Sequence, residues 1–224
     1  MKKKNRAIGL KYLFFDFVRF TAAPGLLLYR PKIVYISEKA KANKKMKGGN
    51  LIISNHISMV DPMLLMLGLW RRRHHFIATK ELFASKFKHW LFTKGFLCIE
   101  IDRDNFSMKT FKEITNHLKD GEIVTMFPEG KVNTDNQGIN DFKGGAVMMA
   151  MRAGQPIIPV YIRRRKHWYS RLIIGMGEPI DPKEFQSGPI LTKDDIEKAS
   201  KYLYEQEKQL EDLLENHYKE KKAK

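Results

Sequence analysis

The sequence predicts an α/β fold, in which helices flank a mixed and mostly parallel sheet. Short apolar runs, such as 51–54, 122–127 and 157–163, alternate with longer segments of helical periodicity. Strands that are separated by helices are typical of parallel sheets, whose functional sites lie at the carboxyl ends of the strands. We therefore expect the residues that carry the chemistry in the loops that follow the strands.

The individual elements are predicted from apolar periodicity and from capping residues. The predicted strands are 51–54, 75–79, 96–101, 122–127, 157–163 and 172–176. The predicted helices are 61–70, 80–93, 107–119, 144–152 and about 192–221. Asp61-Pro62 marks a helix start, because Asp is a favoured N-cap and Pro is favoured at the first helical position. Thr192 and Asp195 form a weak capping box at the start of the last helix.

Length and charge divide the chain into two parts. The 224 residues suffice for one compact domain with an appendage. The chain has 41 Lys and Arg against 25 Asp and Glu, a net charge of +16, which indicates a polyanionic partner. Residues 1–48 hold thirteen Lys and Arg but only Asp16 and Glu38. We predict a basic membrane-binding segment, 1–48, and an α/β domain, 49–224. A single cysteine excludes an internal disulfide.

The most hydrophobic stretch, 10–29, contains Asp16, Arg19 and Pro24, so it is a poor transmembrane span. We expect no cleaved signal peptide, because no small-residue cleavage site follows a continuous apolar core. On a helical wheel that includes the residues just before it, the charges fall opposite the Leu and Phe residues, with Ile8 and Phe15 as exceptions. This pattern predicts an in-plane amphipathic helix on an anionic membrane; the alternative is a helix that packs on the protein's own core. The expected location is the cytoplasmic face of the cell membrane, with peripheral or monotopic attachment.

His56 and Asp61 lie in the loop between the strand 51–54 and the helix that starts at Asp61-Pro62. A carboxylate beside an imidazole fixes its tautomer and stabilises the imidazolium, as in the base half of a catalytic triad. No serine or cysteine nucleophile is obvious beside them, which indicates that the activated hydroxyl belongs to the substrate. The alternative is that His56 ends a strand and Asp61 merely caps a helix.

Two basic clusters, 71–75 and 163–169, combine cations with aromatic residues. Such clusters suit RNA, an anionic membrane face or solvated turns at strand ends, and the sequence does not separate these alternatives. His74 and His75 have no Cys, Asp or Glu at ligand spacing, so no metal site is predicted there.

Four ordered motifs carry a resemblance to a known family. They are Asn55-His56-x-Ser58-x-x-Asp61, Gly95-Phe96 leading to Ile101-Asp102-Arg103, Phe127-Pro128-Glu129-Gly130, and Ile157-Ile158-Pro159-Val160. Together they resemble the blocks of the glycerolipid acyltransferases, over roughly residues 50–178. Within that family the chain is most similar to the 1-acylglycerol-3-phosphate (lysophosphatidic acid) acyltransferases.

The resemblance implies transfer of a fatty acyl group from acyl-CoA or acyl carrier protein to the free sn-2 hydroxyl of lysophosphatidic acid, which gives phosphatidic acid. His56 is then the base and Asp61 orients it, while Asn55 and Ser58 brace the loop. A backbone N–H near Gly130 is the expected oxyanion donor. No cofactor and no metal are expected.

By the family's pattern Arg103 binds the acceptor's phosphate, and Glu129 and Gly130 form part of the acceptor pocket. The family usually continues Glu-Gly with Thr-Arg-Ser, whereas this chain has Lys131-Val132-Asn133. Lys131 or Lys143 can supply the missing charge, although without the bidentate fork of arginine. Another lysophospholipid or glycerol 3-phosphate therefore stays open as the acceptor. From another class, the alternative is a non-catalytic basic module that binds a membrane or RNA. This alternative is disfavoured because His56, Asp61, Glu129 and Gly130 are all present, and a nucleic-acid partner is not expected.

Overall fold

The computed structural model describes residues 10–102, 107–133, 139, 142, 144–165, 167, 170–188 and 191–223. Within these residues, seven strands form one sheet: β1 Lys32–Tyr35, β2 Asn50–Ser54, β3 His74–Thr79, β4 Ile99–Ile101, β5 Ile123–Met126, β6 Ile157–Arg163 and β7 Ile173–Met176. The α-helices are α1 Leu10–Ala22, α2 Pro24–Tyr29, α3 Glu38–Ala42, α4 Asp61–Gly68, α5 Lys86–Trp90, α6 Met108–Lys119, α7 Gly145–Ala153 and α8 Lys193–Ala223.

The sheet is mixed and mostly parallel, as predicted. Its strand order is β1-β7-β6-β2-β5-β3-β4. Strands β6, β2, β5, β3 and β4 run parallel, whereas β7 is antiparallel to β6 and parallel to β1. The carboxyl ends of β6, β2 and β5 therefore lie side by side at one edge, and the loops that follow them meet there.

Both faces of the sheet are covered, because its central strands are apolar on both sides. All five residues of β2 are buried, and Ile52 faces one core while Leu51 and Ile53 face the other. The first core includes Leu65 of α4, and the second includes Ile114 of α6. Parallel strands that are buried on both faces read as continuous apolar runs, which is why the sequence revealed them.

The structure corrects three details of the predicted elements. Strand β1 was not predicted; it is half-buried at the edge of the sheet and lies inside the region 1–48. The strand expected from residue 96 begins only at Ile99, because Leu97 has a φ of 51°, which is incompatible with extended backbone. The helix expected over 80–93 is divided into a 3₁₀ turn, the short α5 and a π turn.

Capping side chains fix several helix starts. Ser107 Oγ accepts from the amide of Thr110 at the start of α6. At α8 the capping box is reciprocal: the amide of Asp195 donates to Thr192 Oγ1 at 3.2 Å, and the amide of Thr192 donates to Asp195 Oδ2 at 2.9 Å. The capping box was predicted and is confirmed.

Helix α1 contacts the domain through charged side chains and through the apolar Phe15. The guanidinium of Arg73 binds Asp16 at 2.5 Å, and Arg19 lies over the ring of Trp70, 4.2 Å from its centroid. Phe15 is fully buried in the core. Three apolar side chains of α1 point outward, with exposed fractions that reach 73%: Leu13, Phe17 and Phe20. Among the described residues no helix combines the length and the apolar character that a membrane crossing requires.

Candidate active site

Asn55 anchors the loop that follows β2. Its side chain is buried, and it both donates to and accepts from the backbone of Ile162 in β6. Asn55 Nδ2 donates to the carbonyl of Ile162 at 3.0 Å, and the amide of Ile162 donates to Asn55 Oδ1 at 2.7 Å. The side chain of Asn55 thus pairs with the backbone of β6 as a neighbouring strand would. This pairing fixes the start of the loop that follows β2.

The next residue, His56, is held by the carboxylate of Asp61. Asp61 is fully buried at the first position of α4, and its Oδ2 accepts from three donors. These are His56 Nδ1 at 3.0 Å and the amides of Ile57 and Ser58, both at 2.7 Å. Because Nδ1 donates its proton to the carboxylate, His56 Nε2 is left with a lone pair that can accept a proton.

This geometry separates the two interpretations of Asp61. A helix N-cap residue accepts hydrogen bonds from amides within the first turn of the helix. The carboxylate of Asp61 turns back instead, toward the amides of Ile57 and Ser58 in the preceding loop. The residue before α4 is Val60, which provides no side-chain cap. Asp61 therefore shapes the loop around His56.

The loop after β5 supports His56 from the other side. Glu129 is 5% exposed, and its Oε1 accepts from the amide of His56 at 3.0 Å. The amide of Asn133 donates to the carbonyl of His56 at 2.6 Å. The imidazole stacks on the ring of Phe127, with a centroid separation of 4.1 Å. His56 is thus fixed through both its backbone and its ring.

Gly130 and Lys131 lie on the turn of the same loop. Gly130 has a φ of 72°, a value that favours glycine, and its amide donates to the carbonyl of Phe127 at 3.0 Å. The amide of Gly130 is therefore engaged within the turn, and an oxyanion donor near Gly130 stays a prediction. Lys131 is exposed. Arg103 and Lys143, the other two cations of the predicted phosphate site, lie outside the described residues.

A basic cavity of about 240 Å³ adjoins the loop that holds His56. One wall is formed by Ser58 and Asp61, and the other by Arg163 at the end of β6 and by Arg164 and Arg165 after it. Arg164 Nη2 donates to the carbonyl of Asn133 at 2.8 Å, and Asn133 is the residue whose amide binds His56. The sequence marked this arginine run only as a basic cluster.

Glu207 of α8 is a second residue whose place the sequence did not reveal. It is fully buried and lies against the backbone of Asn55. Burial, followed by the negative charge of Glu129, raises the pKa of Glu207 well above its usual range. Glu207 therefore lies close to Glu129, the residue that supports His56. Its position four residues after the buried Leu203 was the available signal.

A histidine whose Nε2 can accept a proton, fixed by a buried carboxylate at the carboxyl edge of an α/β sheet, is an arrangement that can activate a hydroxyl by general-base catalysis. The model of the family described as Acyltransferase matches residues 33–163, more than half of the chain. The chain belongs to the acyltransferase family, and the resemblance drawn from its motifs is confirmed.

Relatives with named activities share parts of the chain. A 1-acyl-sn-glycerol-3-phosphate acyltransferase of Bacillus subtilis is 29% identical over 184 residues, which are 78% of this chain and 87% of the relative. An enzyme of the same name from Escherichia coli is 38% identical over 95 residues, 38% of each chain. The crystal structure of the 1-acyl-sn-glycerophosphate (LPA) acyltransferase PlsC from Thermotoga maritima matches with a TM-score of 0.61 and 21% identity, over 89% of this chain and 79% of that one. This last match shows the shared fold.

Proposed function

We propose that the protein transfers a fatty acyl group from an acyl thioester to the sn-2 hydroxyl of lysophosphatidic acid and so makes phosphatidic acid. The observation that carries the proposal is the contact of His56 Nδ1 with the buried Asp61 Oδ2 at 3.0 Å. The donor is acyl-CoA or acyl carrier protein, both of which are anionic and suit the basic surface. The activity named for the Bacillus subtilis relative, which aligns over most of both chains, supports the same reaction.

In the proposed mechanism His56 and Asp61 are the catalytic pair. As the sn-2 oxygen attacks the thioester carbonyl, His56 Nε2 takes the hydroxyl proton, and a tetrahedral intermediate forms. Asp61 stabilises the imidazolium through Nδ1. The intermediate collapses, the carbon–sulfur bond breaks, and the imidazolium returns the proton to the leaving thiolate. No acyl-enzyme is needed, because the attacking hydroxyl belongs to the substrate.

The acceptor's phosphate requires cations near this pair. Arg103, Lys131 and Lys143 are the residues that the family pattern suggests, and Val132 stands where the family has an arginine. Arg164 is our additional candidate, since its guanidinium lines the basic cavity and contacts Asn133 beside His56. A guanidinium can bind a phosphate through two parallel hydrogen bonds, which a lysine cannot.

We propose that the protein attaches to the membrane surface through α1 and through residues 86–95, which lie beside α1. The ring of Phe14 lies 4.5 Å from that of Trp90, which joins the two apolar surfaces. Phe17 and Phe20 are exposed on α1, and Phe87 and Trp90 on the second segment, with fractions between 46% and 73%. Contiguous exposed apolar area of this kind marks an interaction surface. Nearby lysines would add attraction to an anionic leaflet.

Vesicle sedimentation tests this attachment. We expect the double variant Phe17→Glu, Phe20→Glu to lose binding to vesicles that contain phosphatidylglycerol, because two charges would have to enter the apolar interface. The matched control is Leu213→Glu, which changes an exposed leucine of α8 that is 52% accessible. Equal sedimentation of the double variant and the control would contradict the proposed surface.

The reaction itself is tested with purified protein, acyl-CoA and lysophosphatidic acid, and the measured products are the acylated lipid and free CoA. Parallel reactions contain glycerol 3-phosphate or lysophosphatidylglycerol as the acceptor. We expect the largest kcat/KM with lysophosphatidic acid. A higher value with either other acceptor would contradict the proposed substrate. Failure of both acyl-CoA and acyl carrier protein to support any transfer would contradict the proposed reaction.

A further inference from the structure

A second cluster of titratable side chains lies at the edge of the sheet opposite His56. His75 is the second residue of β3, Glu122 directly precedes β5, and His117 is in the last turn of α6. Strands β2, β3 and β5 are parallel, and His74, the first residue of β3, pairs in register with Ile123, the first residue of β5. The cluster therefore lies at the amino-terminal edge, away from the proposed catalytic pair.

The two imidazoles approach the same carboxylate oxygen. His75 Nε2 lies 3.1 Å from Glu122 Oε2, and His117 Nδ1 lies 2.5 Å from the same atom. The two ring centroids are 4.1 Å apart. His75 is buried, while His117 and Glu122 are partly exposed. Each of the three residues offers one metal-binding atom, and these three atoms lie within 4.8 Å of one another.

The geometry points to a binding site for a divalent transition-metal ion of the zinc class, with His75, His117 and Glu122 as its ligands. Zinc binds imidazole nitrogen at about 2.0–2.1 Å and carboxylate oxygen at about 2.0–2.2 Å, so tetrahedral ligand atoms are roughly 3.3 Å apart. The donors of the cluster need to move by only about 1 Å to reach that spacing. Two imidazoles and a carboxylate favour zinc, cobalt, nickel or copper over magnesium and calcium, which prefer oxygen ligands.

Surrounding residues complete the site in two respects. The hydroxyl of Tyr12 donates to Glu122 Oε1 at 2.5 Å, a contact that orients a ligating carboxylate. An open groove of about 560 Å³ reaches His117 and provides a path for the ion and room for water as a fourth ligand. Two cations lie nearby and both are engaged: Arg73 binds Asp16, and Arg72 Nη2 donates to the carbonyl of Gly121, next to Glu122. Since Tyr12 belongs to α1, an ion here would connect this helix to the core.

The sequence pointed away from this site, because no carboxylate lies at ligand spacing from His75 along the chain. Tertiary structure supplies one: β3 and β5 are neighbours in the sheet, so the residue before β5 arrives beside the start of β3. The third ligand, His117, comes from the helix that connects to β5, and its imidazole also meets Glu122.

The test uses the full chain after chelator treatment and removal of any affinity tag. Zinc binding is measured by calorimetry, and Co²⁺ binding by visible absorption, which reports the coordination number of the ion. We expect one ion per chain, with visible Co²⁺ bands of a four- or five-coordinate ion. Affinity should fall at least about 10-fold in His117→Gln and Glu122→Gln, and about 10-fold in Tyr12→Phe, which leaves all three ligands in place.

The matched control is His89→Ala, since His89 faces Glu100 at 3.8 Å in an exposed pair elsewhere on the surface. We expect its affinity to equal that of the wild type. Absence of stoichiometric binding would overturn the site, and so would equal affinities in the wild type and the folded His117→Gln variant. Circular dichroism without metal establishes folding. Should the ligand variants not fold, Tyr12→Phe decides: wild-type affinity there would overturn the proposal.

Discussion

The substitution Asp61→Asn isolates the role of the negative charge beside His56. It preserves the size of the side chain in a fully buried position. If the amide oxygen takes the place of Oδ2, the three donors at 3.0, 2.7 and 2.7 Å keep an acceptor, but the imidazolium loses its counter-ion. If the amide nitrogen takes that place, it meets three N–H groups and the loop must open. Either orientation weakens the base.

The size of the effect follows from the separation of the two groups. A carboxylate and an imidazolium 3.0 Å apart attract by about 5 kcal/mol at an effective dielectric constant of roughly 20. The amide dipole retains part of this attraction, so we expect to lose about 3–4 kcal/mol in the transition state, or roughly 10²–10³-fold in kcat.

The assay is steady-state acyl transfer to lysophosphatidic acid, with kcat and both KM values determined. The control is Asp212→Asn, which changes an exposed carboxylate of α8. We expect the KM for acyl-CoA to change little, because Asp61 is enclosed by the loop and α4. A folded Asp61→Asn protein with wild-type kcat would refute the assignment of Asp61 as the partner of the base.

Two further predictions concern residues around the catalytic loop. Arg164→Met should raise the KM for lysophosphatidic acid at least about 10-fold, since a charge-assisted hydrogen bond contributes about 1.5–3 kcal/mol. Arg171→Met is the control. Equal KM values for the Arg164→Met variant and the control would exclude Arg164 from the phosphate site. In the wild type the free energy of unfolding should decrease as the pH rises, and Glu207→Gln should make this decrease smaller. Because the folded pKa of Glu207 is raised, the native state keeps a proton that the unfolded chain releases, so stability is lost as pH rises from the unfolded pKa toward the folded one. Chemical denaturation at several pH values measures this slope, which approaches about 1.4 kcal/mol per pH unit for one proton; an unchanged slope would contradict the assignment.

The sequence predicted most of the sheet, because its parallel strands are buried on both faces and appear as short apolar runs. It missed β1, whose four residues are only half-buried and lie in a basic region where no alternation is visible. The order of the strands in the sheet depends on crossovers that local periodicity does not encode.

The approach of His56 to Asp61 was predictable from local chemistry, since both residues belong to one short loop. The hydrogen bond from the amide of His56 to Glu129 was not, because it joins loops that follow two different strands. The same holds for Arg164, whose neighbours in the sequence are also arginines; only the fold decides which of them contacts Asn133. Buried Glu207 had a signal, as it occupies the face of α8 that carries the buried Leu203.

The most direct test of the central claim, that His56 activates a lipid hydroxyl, compares the wild type with His56→Ala in acyl transfer from acyl-CoA to lysophosphatidic acid. The account predicts a loss of at least about 100-fold in the rate, because the base is removed while the binding surfaces remain. A folded His56→Ala protein that makes phosphatidic acid at the wild-type rate would contradict it.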